Sequence, residues 1–171
     1  MNIQVIYYSK YGSTRQIAES IAKKLGTDNV TDIREHKAIT GDLIIIGSAI
    51  FKEVAHEEIM QLLSDEQGKL KEKQVAIFVV CLSRERTTKK IDNKEGGGPV
   101  YIEKFEKVLA KVPFASKIFG GRMILAEMDD ADRERTKEFA KRVRMPLKDV
   151  NVMSEAEVDE FAQDIKDKLN V

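Results

Sequence analysis

Between residues 9 and 14 the chain reads Ser9-Lys10-Tyr11-Gly12-Ser13-Thr14, three aliphatic hydroxyls around one glycine, directly after an apolar run and directly before an amphipathic one. Hydroxyls and backbone N–H groups gathered at the start of a helix suit a phosphate, because N–H donors converge there and the helix dipole favours negative charge. The spacing matches neither the Gly-x-Gly-x-x-Gly fingerprint nor the Gly-rich triphosphate loop that ends in Lys-Ser/Thr, so a mononucleotide phosphate suits it better than a dinucleotide. The plainer role for Thr14 is a helix cap, which needs one such residue where this loop supplies three. Phe51 is the second candidate. It is a large apolar group followed by Lys52, Glu53, His56 and Glu57, and an exposed aromatic gains about 1 kcal/mol by stacking on a flat ring. Folded back onto the core, it would do no chemistry.

Other reactive residue types are scarce. His36 and His56 lack a carboxylate or cysteine at a spacing that would make a metal site or a catalytic dyad, so both read as surface histidines. Cys81 is the sole cysteine, ends an apolar run, and reads as a small core residue rather than a nucleophile. Lys+Arg and Asp+Glu are both 29, and a net charge of zero argues against nucleic acid or an anionic membrane as partner. The opening Met-Asn-Ile-Gln has no basic and apolar leader pattern, and the apolar runs 43–51 and 75–82 fall short of a membrane span of roughly 20 residues. A cytoplasmic chain without a transmembrane segment is expected.

The elements that must position these residues follow from hydrophobic periodicity. Ile3, Val5, Ile6 and Tyr7 form a first strand, and Arg15 to Leu25 carries Ile17, Ala18, Ile21, Ala22 and Leu25 at helical spacing before Gly26. Asn29 to Ile33 is a short second strand, Asp42 to Ile46 a third that is buried on both faces, and Val75 to Cys81 a fourth. His56 to Leu63 and Val100 to Val112 read as helices, and Ser83 to Pro99 as a long loop. Lys117 to Leu125 reads as a fifth strand bent at Gly120-Gly121, Asp129 to Val143 as a solvated helix, and Ser154 begins a last helix with a capping-box pattern.

This alternation predicts a single α/β domain over 1–171: an open, doubly wound sheet of five parallel strands in the order 2-1-3-4-5, with helices on both faces. Ligands of such sheets bind beyond the carboxyl ends of the strands. The loops Ser9 to Thr14, Ser48 to Ala55 and Leu82 to Pro99 should therefore meet at one edge.

The motif Ser9-x-x-Gly12-x-Thr14 after a first strand resembles the FMN phosphate loop of the flavodoxin-like superfamily, and Gly47-Ser48-Ala49-Ile50-Phe51 resembles its second flavin loop. The resemblance implies FMN as cofactor, the Ser9 to Thr14 loop on its phosphate, and Ser48, Ala49, Ile50 and Phe51 beside the ring with Phe51 stacked on it. It also implies Leu82, Ser83 and Arg84 at the other edge of the ring, and Tyr101 as a second stacking aromatic. Electron-carrier flavodoxins are acidic around the flavin, whereas this third loop contains Arg84 and Arg86, which would favour the two-electron-reduced, negatively charged flavin.

The basic loop, the Gly47 to Phe51 segment and the insertion at 127–153 are similar to menaquinone-dependent protoporphyrinogen dehydrogenases, although the insertion here is mostly charged. The implied function is an FMN-dependent oxidoreductase or electron-transfer protein with an unnamed donor and acceptor, whether small molecule, quinone or protein. A homodimer is compatible with it. The rival reading is a non-redox module that binds another phosphate through Ser9 to Thr14, as receiver domains of this strand order do. Clustered aspartates at the strand ends, which receivers need, are missing from Ile6-Tyr7-Tyr8-Ser9.

Overall fold

The run Leu43-Ile44-Ile45-Ile46 is apolar on both sides of a strand and is satisfied only between two apolar layers. In the computed structural model, which describes residues 1–35, 38–88 and 93–170, that run is the middle of the sheet. In chain order the elements are β1 (Ile3–Tyr8), α1 (Ser13–Leu25), β2 (Val30–Asp32), β3 (Leu43–Phe51), β4 (Val54–Ala55), α2 (Glu57–Asp65), α3 (Gln67–Glu72) and β5 (Gln74–Cys81). There follow β6 (Thr87–Thr88), β7 (Glu95–Gly96), α4 (Gly98–Leu109), β8 (Ala115–Gly120), β9 (Arg122–Met123), a 3-10 turn (Leu125–Glu127), α5 (Asp130–Val143), β10 (Val150–Asn151) and α6 (Glu155–Leu169).

The sheet runs β2-β1-β3-β5-β8 with every neighbouring pair parallel, which is the expected five-strand order, and β4 folds back antiparallel on β3. Side chains alternate across it. Val5, Leu43, Ile45, Phe78 and Phe119 pack with Ile17 and Ile21 of α1 and with Val158, Phe161 and Ile165 of α6. Ile6, Ile44, Ile46, Ile77 and Val79 pack with Ile59 and Leu63 of α2, Leu70 of α3 and Phe105 of α4. Helices thus cover both faces. At roughly 25 cal/mol per Å² of apolar surface, these two layers supply most of the drive for folding.

The structure departs from the sequence reading in four places. β3 continues past Ile46 to Phe51, because Gly47 has no Cβ where the Phe78 ring of β5 lies: a Cβ there would sit 2.0 Å from that ring. The stretch read as one long loop contains the short antiparallel pair β6–β7, and α4 starts at Gly98 with Pro99 in its first turn rather than at Val100. The fifth strand is not bent at Gly120-Gly121 but ends there, since Val152 crosses so closely that its carbonyl oxygen would lie 1.9 Å from a Cβ at Gly120. Arg122 and Met123 then pair with Asn151 and Val150 in a separate ribbon. Finally, the charged helix α5 is not wholly solvated, because Asp132 and Ala140 are buried. His36 lies outside the described residues.

Candidate functional site

β1, β3 and β5 lie side by side, with Tyr8 opposite Ser48 and Ala49 opposite Val80, so the segments that follow them leave the sheet at one edge. After β1 the chain turns at Gly12, whose φ of 92° is a left-handed value that glycine adopts without strain, and α1 begins at once. Gly12 is the helix cap, so Thr14 is not. No side chain caps α1, which leaves its first-turn N–H groups without side-chain acceptors. The Gly12 N–H donates to Ser9 Oγ at 3.1 Å, the Arg122 N–H donates to Ser13 Oγ at 3.2 Å, and Thr14 is buried in the first turn. A hydroxyl that accepts one N–H keeps its own hydrogen to donate. The loop is thus a ring of donors closed at the base of a helix.

Lys10 and Tyr11 are held from outside the sheet. Lys10 Nζ lies 2.6 Å from Asp132 Oδ2 and 2.9 Å from Asp129 Oδ2, while the Tyr11 hydroxyl donates to Asp132 Oδ2 at 2.6 Å. Asp129 caps α5 by accepting the Asp132 N–H at 2.8 Å. That backbone donor, with Lys10, holds the Asp129 carboxyl down at about 2. Burial works to raise Asp132, but the hydrogen bonds from Lys10 and Tyr11 outweigh it and hold it below the usual carboxylate range. The same two carboxylates raise Lys10 above the usual lysine value.

After β3, Lys52 and Glu53 both take left-handed φ values, 50° and 69°, the geometry of a tight antiparallel hairpin, and Phe51 stands at its tip, 40% exposed. Lys10 Nζ lies 5.4 Å from the centre of its ring and Lys52 Nζ 5.7 Å. Phe51 therefore faces the Ser9 to Thr14 loop instead of turning into the core. Ser48 is buried: its hydroxyl donates to the Ala49 carbonyl and accepts the His56 N–H, both at 2.9 Å, so it shapes the hairpin from within. Ala49 and Ile50 are half-buried beside it. His56 is more than a surface histidine. It caps α2 through Nδ1 and stacks on Tyr8 with ring centres 3.4 Å apart, while the Arg34 guanidinium lies 5.1 Å from the Tyr8 ring.

In the third loop Leu82, Ser83 and Arg84 are exposed. Arg84 pairs with Glu157 of α6, and Arg86 with Glu95 and Glu103, so carboxylates offset the positive charge of this loop. Tyr101 is not at a loop tip; it lies in the first turn of α4 with 9% of its surface exposed. Cys81 is buried, and burial pushes its thiol up to about 11, which fits an inert core residue. Among the described residues no group of His, Cys, Asp and Glu could hold a metal ion, and no helix is long and apolar enough to cross a membrane.

A family model described as a flavodoxin domain matches residues 4–144. The chain belongs to the flavodoxin-domain family. FMN is the cofactor that goes with this membership, and the domain is an FMN-binding flavoprotein of the electron-transferring kind. Two flavodoxins of solved structure share its fold. The two-electron reduced flavodoxin of Megasphaera elsdenii is 14% identical with a TM-score of 0.53, over 96% of this chain and 98% of that one. Oxidised flavodoxin 1 of Bacillus cereus is 20% identical with a TM-score of 0.51, over 86% and 100%. The rubredoxin:oxygen oxidoreductase of Desulfovibrio gigas is 14% identical with a TM-score of 0.49; 99% of this chain is covered, but it spans only 37% of that longer protein. No curated protein sequence matches the chain.

The residues of this flavodoxin domain fit such a cofactor. The cradle at Ser9 to Thr14 has a glycine-capped helix with unclaimed amides, and an aromatic ring stands exposed across from it. Three residues beside the cradle escape a reading of the sequence: Asp129, Asp132 and Arg122. Asp129 and Asp132 carry the pattern of a helix cap, but nothing local connects them to a lysine 122 positions earlier than Asp132. Arg122 reads as part of a strand until the break at Gly120-Gly121 is seen.

Proposed function

We propose that this flavodoxin domain is an FMN-dependent oxidoreductase that holds the cofactor phosphate in the Ser9 to Thr14 loop and the flavin ring against Phe51, beside Ser48, Ala49, Ile50, Leu82 and Ser83. The observation that carries the reading is the left-handed, side-chain-free cap of α1 at Gly12, with the Ser9, Ser13 and Thr14 hydroxyls around it and the exposed Phe51 ring nearby. FMN supplies the redox chemistry, accepting electrons from one partner and delivering them to another. The chain's own residues bind and orient it: amides and hydroxyls hold the phosphate, Phe51 covers a ring face, and Lys10 adds a positive charge braced by Asp129 and Asp132. Tyr101 is too buried to offer an open ring face, so Phe51 is the stacking aromatic in this assignment.

Lys10, Arg84 and Arg86 set positive charge among the carboxylates around the site, which eases full reduction relative to a site of carboxylates alone, and transfer of electron pairs is the favoured mode. A role like that of the protoporphyrinogen dehydrogenases is the finer form of this reading. The inserted α5 packs against the phosphate loop, and its outer side and the turn after it expose Phe139, Met145 and Leu147 among basic residues, a surface suited to an apolar substrate with carboxylate tails.

The test is a fluorescence titration of the apoprotein with FMN and with riboflavin, followed by anaerobic reductive titration. FMN bound much tighter than riboflavin, with its fluorescence quenched, supports the cradle and the stack, and reduction in a single two-electron step supports the oxidoreductase. Equal binding of both flavins would sink the phosphate assignment. Bleaching of the bound FMN by anaerobic protoporphyrinogen, against no change, decides the finer form.

A further inference from the structure

The chain that leaves β8 doubles back across the start of α1. The Gly121 N–H donates to the Cys81 carbonyl at 3.1 Å and the Gly121 carbonyl accepts the Val152 N–H at 3.0 Å, which ties the β9–β10 ribbon down at this point. Arg122 is the next residue. Its backbone N–H donates to Ser13 Oγ at 3.2 Å, at the first residue of α1, and its Nη2 lies 3.8 Å from where a Cβ on Gly12 would stand. The guanidinium is therefore poised over the glycine that caps the helix.

Two facts describe the state of that guanidinium. Nη2 donates to Glu127 Oε2 at 3.2 Å, and Nε is buried with no hydrogen-bond acceptor. A buried N–H without an acceptor is costly, and a guanidinium is suited to binding phosphate with two parallel donors. The side chain is 32% exposed, so it is not sealed within the core.

We infer that Arg122 is a ligand of the FMN phosphate and sets the preference of this domain for the phosphorylated flavin. Glu127 holds the guanidinium in place and competes with the phosphate for it. The inference rests on the assignment of the cradle to Ser9 to Thr14. A merely structural Arg122 would instead fasten the 3-10 turn to α1 through Glu127 and contribute equally to both flavins.

Dissociation constants for FMN and riboflavin, measured with the full chain at several salt concentrations, separate these roles. Arg122→Gln should weaken FMN about 10- to 100-fold, the range of a lost charge-assisted hydrogen bond, leave riboflavin unchanged, and flatten the dependence of FMN binding on salt. Glu127→Gln, at an exposed position, should tighten FMN by releasing the guanidinium. If Arg122→Gln changes the two flavins equally, or changes neither, Arg122 is structural and the inference fails. If Arg122→Gln does not fold, Glu127→Gln decides alone: tighter FMN supports the inference, and unchanged or weaker FMN overturns it. A wild-type chain that binds FMN and riboflavin equally refutes the cradle together with Arg122. A strong wild-type preference for FMN that survives Arg122→Gln refutes Arg122 alone.

Discussion

Thr14 is 1% exposed, lies in the first turn of α1, and does not cap it. Its hydroxyl therefore has no role in starting the helix, and in the proposed assignment it is a donor to the phosphate. Replacing it with valine keeps the shape and removes the donor. Thr14→Val should weaken FMN by about 1–3 kcal/mol, the cost of an unpaired group in a closed site, while riboflavin affinity and the urea midpoint stay near wild type. Paired titrations of the two flavins would show it, and an unchanged FMN dissociation constant would remove Thr14 from the cradle. Phe51 makes the complementary point at the same scale. It stands at a hairpin tip whose turn residues, Lys52 and Glu53, both hold positive φ without being glycine or asparagine. The fold tolerates that strain where it presents an aromatic ring.

Among the elements, the pairing of β3 with β5 depends on a close approach. Gly47 lies opposite Phe78, and the Phe78 ring occupies the space where a side chain on Gly47 would be. Gly47→Ala should cost about 1–3 kcal/mol of stability by overpacking, and Phe78→Leu in the same chain should recover part of it, since residues in contact are not additive. Urea unfolding of the two single variants and the double variant gives the coupling; strict additivity would show that the ring simply moves aside. This position also marks the limit of what the sequence reveals. Strand order and helix faces are legible because Leu43 to Ile46 and Val75 to Cys81 are apolar on both sides, while α1 and α6 carry apolar residues at helical spacing. The end of β3 and the break after β8 are not legible, because Phe78 against Gly47 and Val152 against Gly120 are close approaches between distant segments. The same holds for the candidate site: the Ser9 to Thr14 motif is local and can be picked out, whereas its partners Asp132 and Arg122 come from more than 100 positions further along the chain.

Across the whole molecule, α5 is coupled to the Ser9 to Thr14 loop through charges whose response to pH is fixed in sign. The folded values of Asp129 and Asp132 lie below their ordinary ones, so their contribution to stability is present above about pH 4 and is lost as pH falls through the folded values, near 2 for Asp129. Lys10 is raised, so its contribution is complete below about pH 10 and is lost only as pH rises through its elevated value. Asp132→Ala should cost about 1–3 kcal/mol, and its urea midpoint should differ from wild type by a constant amount between about pH 5 and 9, with the two converging on acidification. A difference that varied between pH 6 and 8 would mean that another group titrates in the contact.

Lys10 and Asp132 are separated by 122 positions, although they touch. On a ribosome the loop at Ser9 to Thr14 emerges early, while Asp129 and Asp132 are still unmade. Closing so long a stretch of chain is among the slower steps of folding. The loop at the head of α1 can therefore be braced only once the helix beginning at Asp130 has been synthesised and has docked.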